Sequence, residues 1–96
     1  MYILVTYDVN TQMPEGQKRL RKVARLCMDY GQRVQNSVFE CVLTEVQVVQ
    51  LRDRISSIID KKTDSVRFYF MGKNWKQHIE HIGVETGLDV TETLII

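Results

Sequence analysis

Apolar residues recur along this chain in two rhythms, and each rhythm predicts a kind of element. Tyr2-Ile3-Leu4-Val5-Thr6-Tyr7 is a continuous run of strand formers, closed by Asp8 and followed by Asn10 and Thr11. A run of that length between such residues reads as a buried strand. Pro14 then suits the first position of a helix, with Glu15 favourable in its first turn. Leu20, Val23, Ala24 and Cys27 follow at helical spacing, while Lys18, Arg21, Lys22 and Arg25 fall on the opposite side. Gly31 suits a left-handed helix terminus.

Arg33–Gln35 and Val38–Leu43 read as two short strands joined by a tight turn at Asn36-Ser37. Thr44-Glu45-Val46-Gln47 has the form of a capping box, opening a second helix with the stripe Val48, Leu51, Ile55, Ile58 and Ile59. Asp60 to Asp64 is a charged turn, and Val66 to Met71 is another strand. Trp75 to Ile82 reads as a short helix or turn, Gly83 and Gly87 mark a looser segment, and Leu94-Ile95-Ile96 reads as a final strand. No repeat or low-complexity tract interrupts the chain.

This order predicts an α+β fold: a ferredoxin-like βαββαβ sandwich with an additional C-terminal strand, built as one domain over residues 1–96. Two helices can cover only one face of such a sheet. Yet Ile3, Val5 and Tyr7 alternate with Tyr2 and Leu4, and Val66, Phe68 and Phe70 alternate with Tyr69 and Met71, so both faces are apolar. An uncovered apolar face implies an interface. The expectation is a two-fold homodimer, with the C-terminal segment 84–96 contacting the partner subunit.

Composition narrows the function classes. A chain of 96 residues, 44% hydrophobic and 26% charged, is an ordinary globular domain. Its net charge of +1 means that affinity for nucleic acid must come from local clustering. Cys27 and Cys41 fit no metal spacing and read as reduced thiols of a cytoplasmic protein. No stretch approaches the length of a membrane span or a secretory leader, so no membrane partner is expected.

Asp8 is the leading chemical candidate. It ends a buried strand, at the edge where α/β-type folds commonly build sites, and a charge beside so much apolar surface needs a partner or a metal. A turn-forming or capping Asp is the competing account. Magnesium uses one or two carboxylates, several waters and phosphate oxygens. A two-fold axis near the first strand's end would let two copies of Asp8 share such an ion. Lys18, Arg21, Lys22 and Arg25, with Arg19 on the flank and Arg33 beyond, form the densest positive cluster. It reads either as a solvated helix face or as a track for a nucleic-acid backbone.

Other constellations carry less. His78 and His81 have no third ligand nearby and read as surface positions rather than zinc ligands. Trp75 and the methionines read as core or interface residues. Arg67-Phe68-Tyr69-Phe70 lacks the glycine-containing signature of RNA-binding sheets, and no glycine-rich phosphate loop is present.

Taken together, the run Tyr2 to Asp8, the run Lys18-Arg19-Leu20-Arg21-Lys22-Val23 and the block Gly31 to Glu40 resemble the small CRISPR-associated adaptation nuclease, the second of the two universal CRISPR-associated proteins. The resemblance extends through Asp64 to Trp75 and the final Leu-Ile-Ile, and is nearest to members from type I systems of the C subtype. It implies a ferredoxin-like homodimer and a divalent-metal-dependent endonuclease, with Mg2+ as cofactor or Mn2+ in its place. It also implies partnership with the larger CRISPR integrase in spacer acquisition. Asp8 matches the family's catalytic and metal-binding aspartate. Tyr7, Arg19, Arg21, Arg33 and Phe39 match positions implicated in substrate contact or site integrity.

Two other functions fit the same residues. One is a non-catalytic scaffold that binds duplex DNA through the basic helix faces, where Lys22 or Arg25 would matter more than Asp8. The other is a toxin-like ribonuclease or RNA-binding domain on the same fold. No motif selects among RNA, single-stranded DNA and duplex DNA, although duplex DNA is favoured by the resemblance.

Overall fold

A computed structural model of the chain describes residues 1–72 and 79–84. The elements run β1 (Tyr2–Asp8), α1 (Pro14–Tyr30), β2 (Gln32–Gln35), β3 (Val38–Val42), α2 (Glu45–Ile58), β4 (Ser65–Met71) and β5 (Ile79–Gly83). The strands form one antiparallel sheet in the order β2-β3-β1-β4-β5. The first four strands and two helices are the expected ferredoxin-like arrangement, and β5 extends it beyond β4.

Side-chain alternation assigns the faces. Ile3, Val5, Tyr7, Phe39, Cys41, Val66 and Phe68 point to one side and meet Val23 and Cys27 of α1 and Val48, Leu51 and Ile55 of α2. Each fully buried aliphatic there contributes about 1.5–3 kcal/mol over exposure. Leu51, which has no exposed surface, sits at the centre of the α2 contribution. The helix stripes read from sequence are therefore the buried ones.

Both helix starts follow their local chemistry. Pro14 occupies the first turn of α1, as predicted. Thr44 accepts from the Gln47 amide at 3.2 Å while the Gln47 side chain accepts from the Thr44 amide at 2.9 Å, completing the capping box of α2. The β2–β3 turn lies at Asn36-Ser37, as expected.

Three expectations are corrected. Gly31 is extended, with φ −164 and ψ −159, so left-handed backbone is not the reason for it. A Cβ there would stand 2.4 Å from both Glu40 O and Cys41 Sγ, so glycine is required by the close approach of β3. Ile79–Gly83 is a strand, not part of a short helix or turn; it takes its hydrogen bonds from the edge of β4, a non-local pairing that overrides its mixed pattern. Met1, Met13 and Met28 are exposed on the protomer, which excludes the core half of the core-or-interface expectation. Trp75, His78 and the strand expected at Leu94–Ile96 lie outside the described residues.

Candidate functional site

The carboxyl end of β1 gathers the chemistry. Asp8 is the last residue of that strand, exposed, and opposite Ser65 of β4 in the ladder. Alternation turns its side chain to the face without helices, with Tyr2, Leu4 and Thr6. Solvent therefore reaches Asp8, and its charge needs no partner to offset burial, contrary to the expectation from sequence. The carboxylate that does need partners is Asp64, just before β4, whose side chain has no exposed surface.

Asp64 is held by five donors. Its Oδ1 accepts from the Asn10 amide at 3.0 Å, the Thr63 hydroxyl at 3.1 Å and Arg19 Nη2 at 3.4 Å. Its Oδ2 accepts from Arg19 Nε at 2.8 Å and the Asp60 amide at 2.9 Å. Burial alone would raise this carboxyl. The bonds from Arg19, the Asp60 and Asn10 amides and Thr63 outweigh that effect and lower it below its ordinary value.

Behind Asp8, on the helix side, three of the expected residues pack together. The Tyr7 and Phe39 rings stack with centroids 6.1 Å apart, and the Arg33 guanidinium lies 5.2 Å from the Phe39 centroid. The Tyr7 hydroxyl donates to Asn36 O at 3.2 Å, and its amide donates to Ser37 O at 3.1 Å. Burial raises the Tyr7 hydroxyl, while Arg33 pulls it the other way. Phe39 and Tyr7 are core residues, so their part is to support the end of β1 rather than to meet a ligand.

The basic residues divide. Lys18, Arg21, Lys22 and Arg25 are exposed along one side of α1, and none forms an ion pair among the described residues. Arg19, one position off that stripe, turns inward to Asp64. Arg33 is exposed at the edge of the sheet, over Phe39.

Sequence reasoning assigned Asp64 no role beyond a charged turn, did not single out Ser65, and placed His81 at the surface. The signal for Asp64 was the same one that singled out Asp8, a carboxylate bordering an apolar strand. His81 is half-buried rather than a free surface position, and its Nε2 lies 2.9 Å from the Ser65 hydroxyl, which is beside Asp8 in the ladder. No motif links residues so far apart in sequence; only the β4–β5 pairing does.

Among the described residues no group of three or more His, Cys, Asp or Glu side chains is arranged to hold a metal ion. Asp8 by itself offers one hard, accessible carboxylate, which matches magnesium's use of one or two carboxylates with water and phosphate oxygens. It does not make a closed protein cage. No helix of the described residues is long and apolar enough to cross a membrane.

Comparison with known proteins agrees with this architecture. The family described as CRISPR associated protein Cas2 matches residues 1–79. A protein of Chlorobaculum tepidum named CRISPR-associated endoribonuclease Cas2 is 51% identical over 96 residues, covering all of both chains. One from Halalkalibacterium halodurans named CRISPR-associated endonuclease Cas2 is 50% identical over 95 residues, covering 99% of each. The crystal structure of Streptococcus pyogenes Cas2 at pH 6.5 superposes with a TM-score of 0.71 and 61% identity, over 86% of this chain and 100% of that one. A family match over most of the chain, relatives of half its sequence and a shared fold lead to one conclusion: this chain belongs to the Cas2 family of CRISPR-associated proteins.

Proposed function

We propose that this protein is a divalent-metal-dependent endonuclease of CRISPR adaptation, cutting phosphodiester bonds as a two-fold homodimer. The observation that carries the reading is Asp8: an exposed carboxylate at the end of a buried central strand, in a chain whose half-identical relatives are named endonuclease and endoribonuclease. Those two names leave the choice of DNA or RNA open at equal overall similarity. Duplex DNA is favoured by the resemblance to CRISPR adaptation proteins, and the exposed stripe on α1 supplies cations for a nucleic-acid backbone of any kind.

Asp8 and Asp8 of the partner subunit would hold the ion, Mg2+ or Mn2+, across the two-fold axis. Such an ion supplies Lewis-acid polarisation of the phosphodiester and makes water a better nucleophile at neutral pH. The chain's own residues do the rest. Tyr7 and Phe39 brace the strand that ends in Asp8, and Lys18, Arg21, Lys22 and Arg25 draw in and orient the polyanion. The face without helices supports dimerisation: Tyr2 is 41% and Val42 76% exposed on it.

Because Asp8 is solvated, Asp8→Asn should fold and dimerise normally yet lose cleavage of matched DNA and RNA duplexes in magnesium. Cleavage that persists in this variant, or in excess chelator, removes Asp8 and the metal from the mechanism. Cleavage of RNA alone, with no binding to duplex DNA, would favour the toxin-like ribonuclease.

The unpaired stripe on α1 favours a second reading, in which the dimer bridges the larger integrase and DNA without cutting. Spacer acquisition in cells carrying Asp8→Ala separates the two. Normal acquisition supports the scaffold, and lost acquisition supports the nuclease.

A further inference from the structure

Asp64 and Asp8 stand on opposite sides of one small closed circuit. From Asp8 the chain runs through Val9 to Asn10, whose amide donates to Asp64 Oδ1 at 3.0 Å. Asp64 precedes Ser65, and Ser65 is the ladder partner of Asp8. The backbone carrying Asp8 is thus gripped on both flanks by one buried carboxylate, directly through a hydrogen bond and covalently through the next residue.

Every other element around the site ties into the same group. Arg19 brings α1 to it through Nε at 2.8 Å, and the Asp60 amide brings the start of the α2–β4 turn at 2.9 Å. The Val84 amide donates to the Asp64 carbonyl at 2.8 Å, and Gly83, with φ +103, passes so close that a Cβ there would lie 2.0 Å from that oxygen. Gly16 in the first turn of α1 lies equally close to Asn10, where a Cβ would stand 1.8 Å from its carbonyl oxygen. The turn that begins at Asp8 has therefore little freedom to move without breaking the Asp64 bonds.

We propose that Asp64 and Arg19 are a positioning pair for Asp8: they set where its carboxylate stands, and neither meets the substrate. Arg19 spends its charge inward, unlike its neighbours Arg21 and Lys22. A half-buried guanidinium already matched bidentately by a carboxylate is a poor phosphate ligand. The proposal rests on the reading of Asp8 as the chemical centre, and adds to it the residues that hold that centre in place.

The experiment compares Asp64→Asn, Arg19→Gln, Arg19→Lys and Asp8→Asn with the parent chain. It measures kcat and KM on a labelled DNA duplex in magnesium, Mn2+ affinity by titration, and amide exchange at Asn10. Asp64→Asn keeps the shape but faces Arg19 and the Asp60 amide with a donor. It should lower kcat by about ten- to a hundredfold with KM unchanged. It should also weaken Mn2+ binding by about tenfold and speed exchange at Asn10. Arg19→Gln should do the same, and Arg19→Lys should recover part of kcat. If Asp64→Asn does not fold, the two Arg19 variants carry the test, since Arg19 is 21% exposed at the side chain. A raised KM in Arg19→Gln at unchanged kcat would make Arg19 a substrate contact and overturn the proposal. So would folded Asp64→Asn with parental kcat and Mn2+ affinity. Equal cleavage by Asp8→Asn and the parent is a different failure, that of the underlying reading.

Discussion

Asp64 and the two cysteines are buried titratable groups with opposite consequences. The Asp64 carboxyl is lowered from 3.8 by hydrogen bonds that outweigh its burial. Its folded value therefore lies below its unfolded one, so its contribution to stability is complete above about pH 4 and is lost as pH falls through the folded value. Thermal melts taken downward from about pH 4 should show a steep acid limb that Asp64→Asn flattens. Asp64→Ala should cost about 3 kcal/mol, at the lower end for a broken buried pair because Arg19 keeps some solvent. Burial pushes Cys27 up to about 12 and Cys41 up to about 11. Neither thiol should react with an alkylating reagent at about pH 8 until the chain is unfolded, as mass spectrometry would read. The glycine that joins α1 to the sheet was only half legible. Gly31 was recognisable as a helix end, but its close approach to Glu40 and Cys41 involves residues that come later in the chain.

At the scale of elements, the two helices start differently. The start of α2 is completed by a reciprocal cap, and Thr44→Ala should cost about 1 kcal/mol, lowering the melting temperature by about 4–8 °C. The start of α1 has Met13 at its cap position with no side-chain hydrogen bond. Met13→Ser should therefore stabilise the chain by about 0.5–1 kcal/mol in the same melt, a gain that a second capping bond at this position would exclude. Periodicity made β1, α1, α2 and β4 readable, because a half-buried element must repeat its apolar residues on one side. Ile79–Gly83 could not be read that way. Five residues with mixed polarity become a strand only because the edge of β4 is there to pair with them.

For the whole molecule, the sheet face without helices, where Tyr69 is buried but Tyr2 and Val42 are exposed, and a basic helix side are the two surfaces that matter. Charged substitution of the most exposed apolar residue on that face, Val42→Lys, should shift the dimer toward monomer in sedimentation velocity without lowering monomer helicity. An unchanged sedimentation coefficient would place the interface elsewhere. Binding of duplex DNA should weaken linearly in the logarithm of salt concentration, and Lys22→Ala should reduce that slope by about one. Arg19→Gln should leave the slope as it is, because its charge is already matched by Asp64.

What the amino-acid order determined alone is the set of repeating elements, their succession, and hence the ferredoxin-like sandwich with Asp8 at the end of its first strand. These depend on periodicity and short-range capping, which span a few residues at a time. Tertiary structure decided which acid is solvated and which is buried, and which arginine faces outward. It also decided that Ser65 pairs with Asp8 in the ladder and that His81 meets the Ser65 hydroxyl. Asp64 meets Arg19 across 45 positions and Asn10 across 54, and only the docking of α1 and the register of β4 on β1 bring those groups within bonding distance. A hydrogen bond acts over about 3 Å, so no local pattern can announce its partner before the chain has closed on itself.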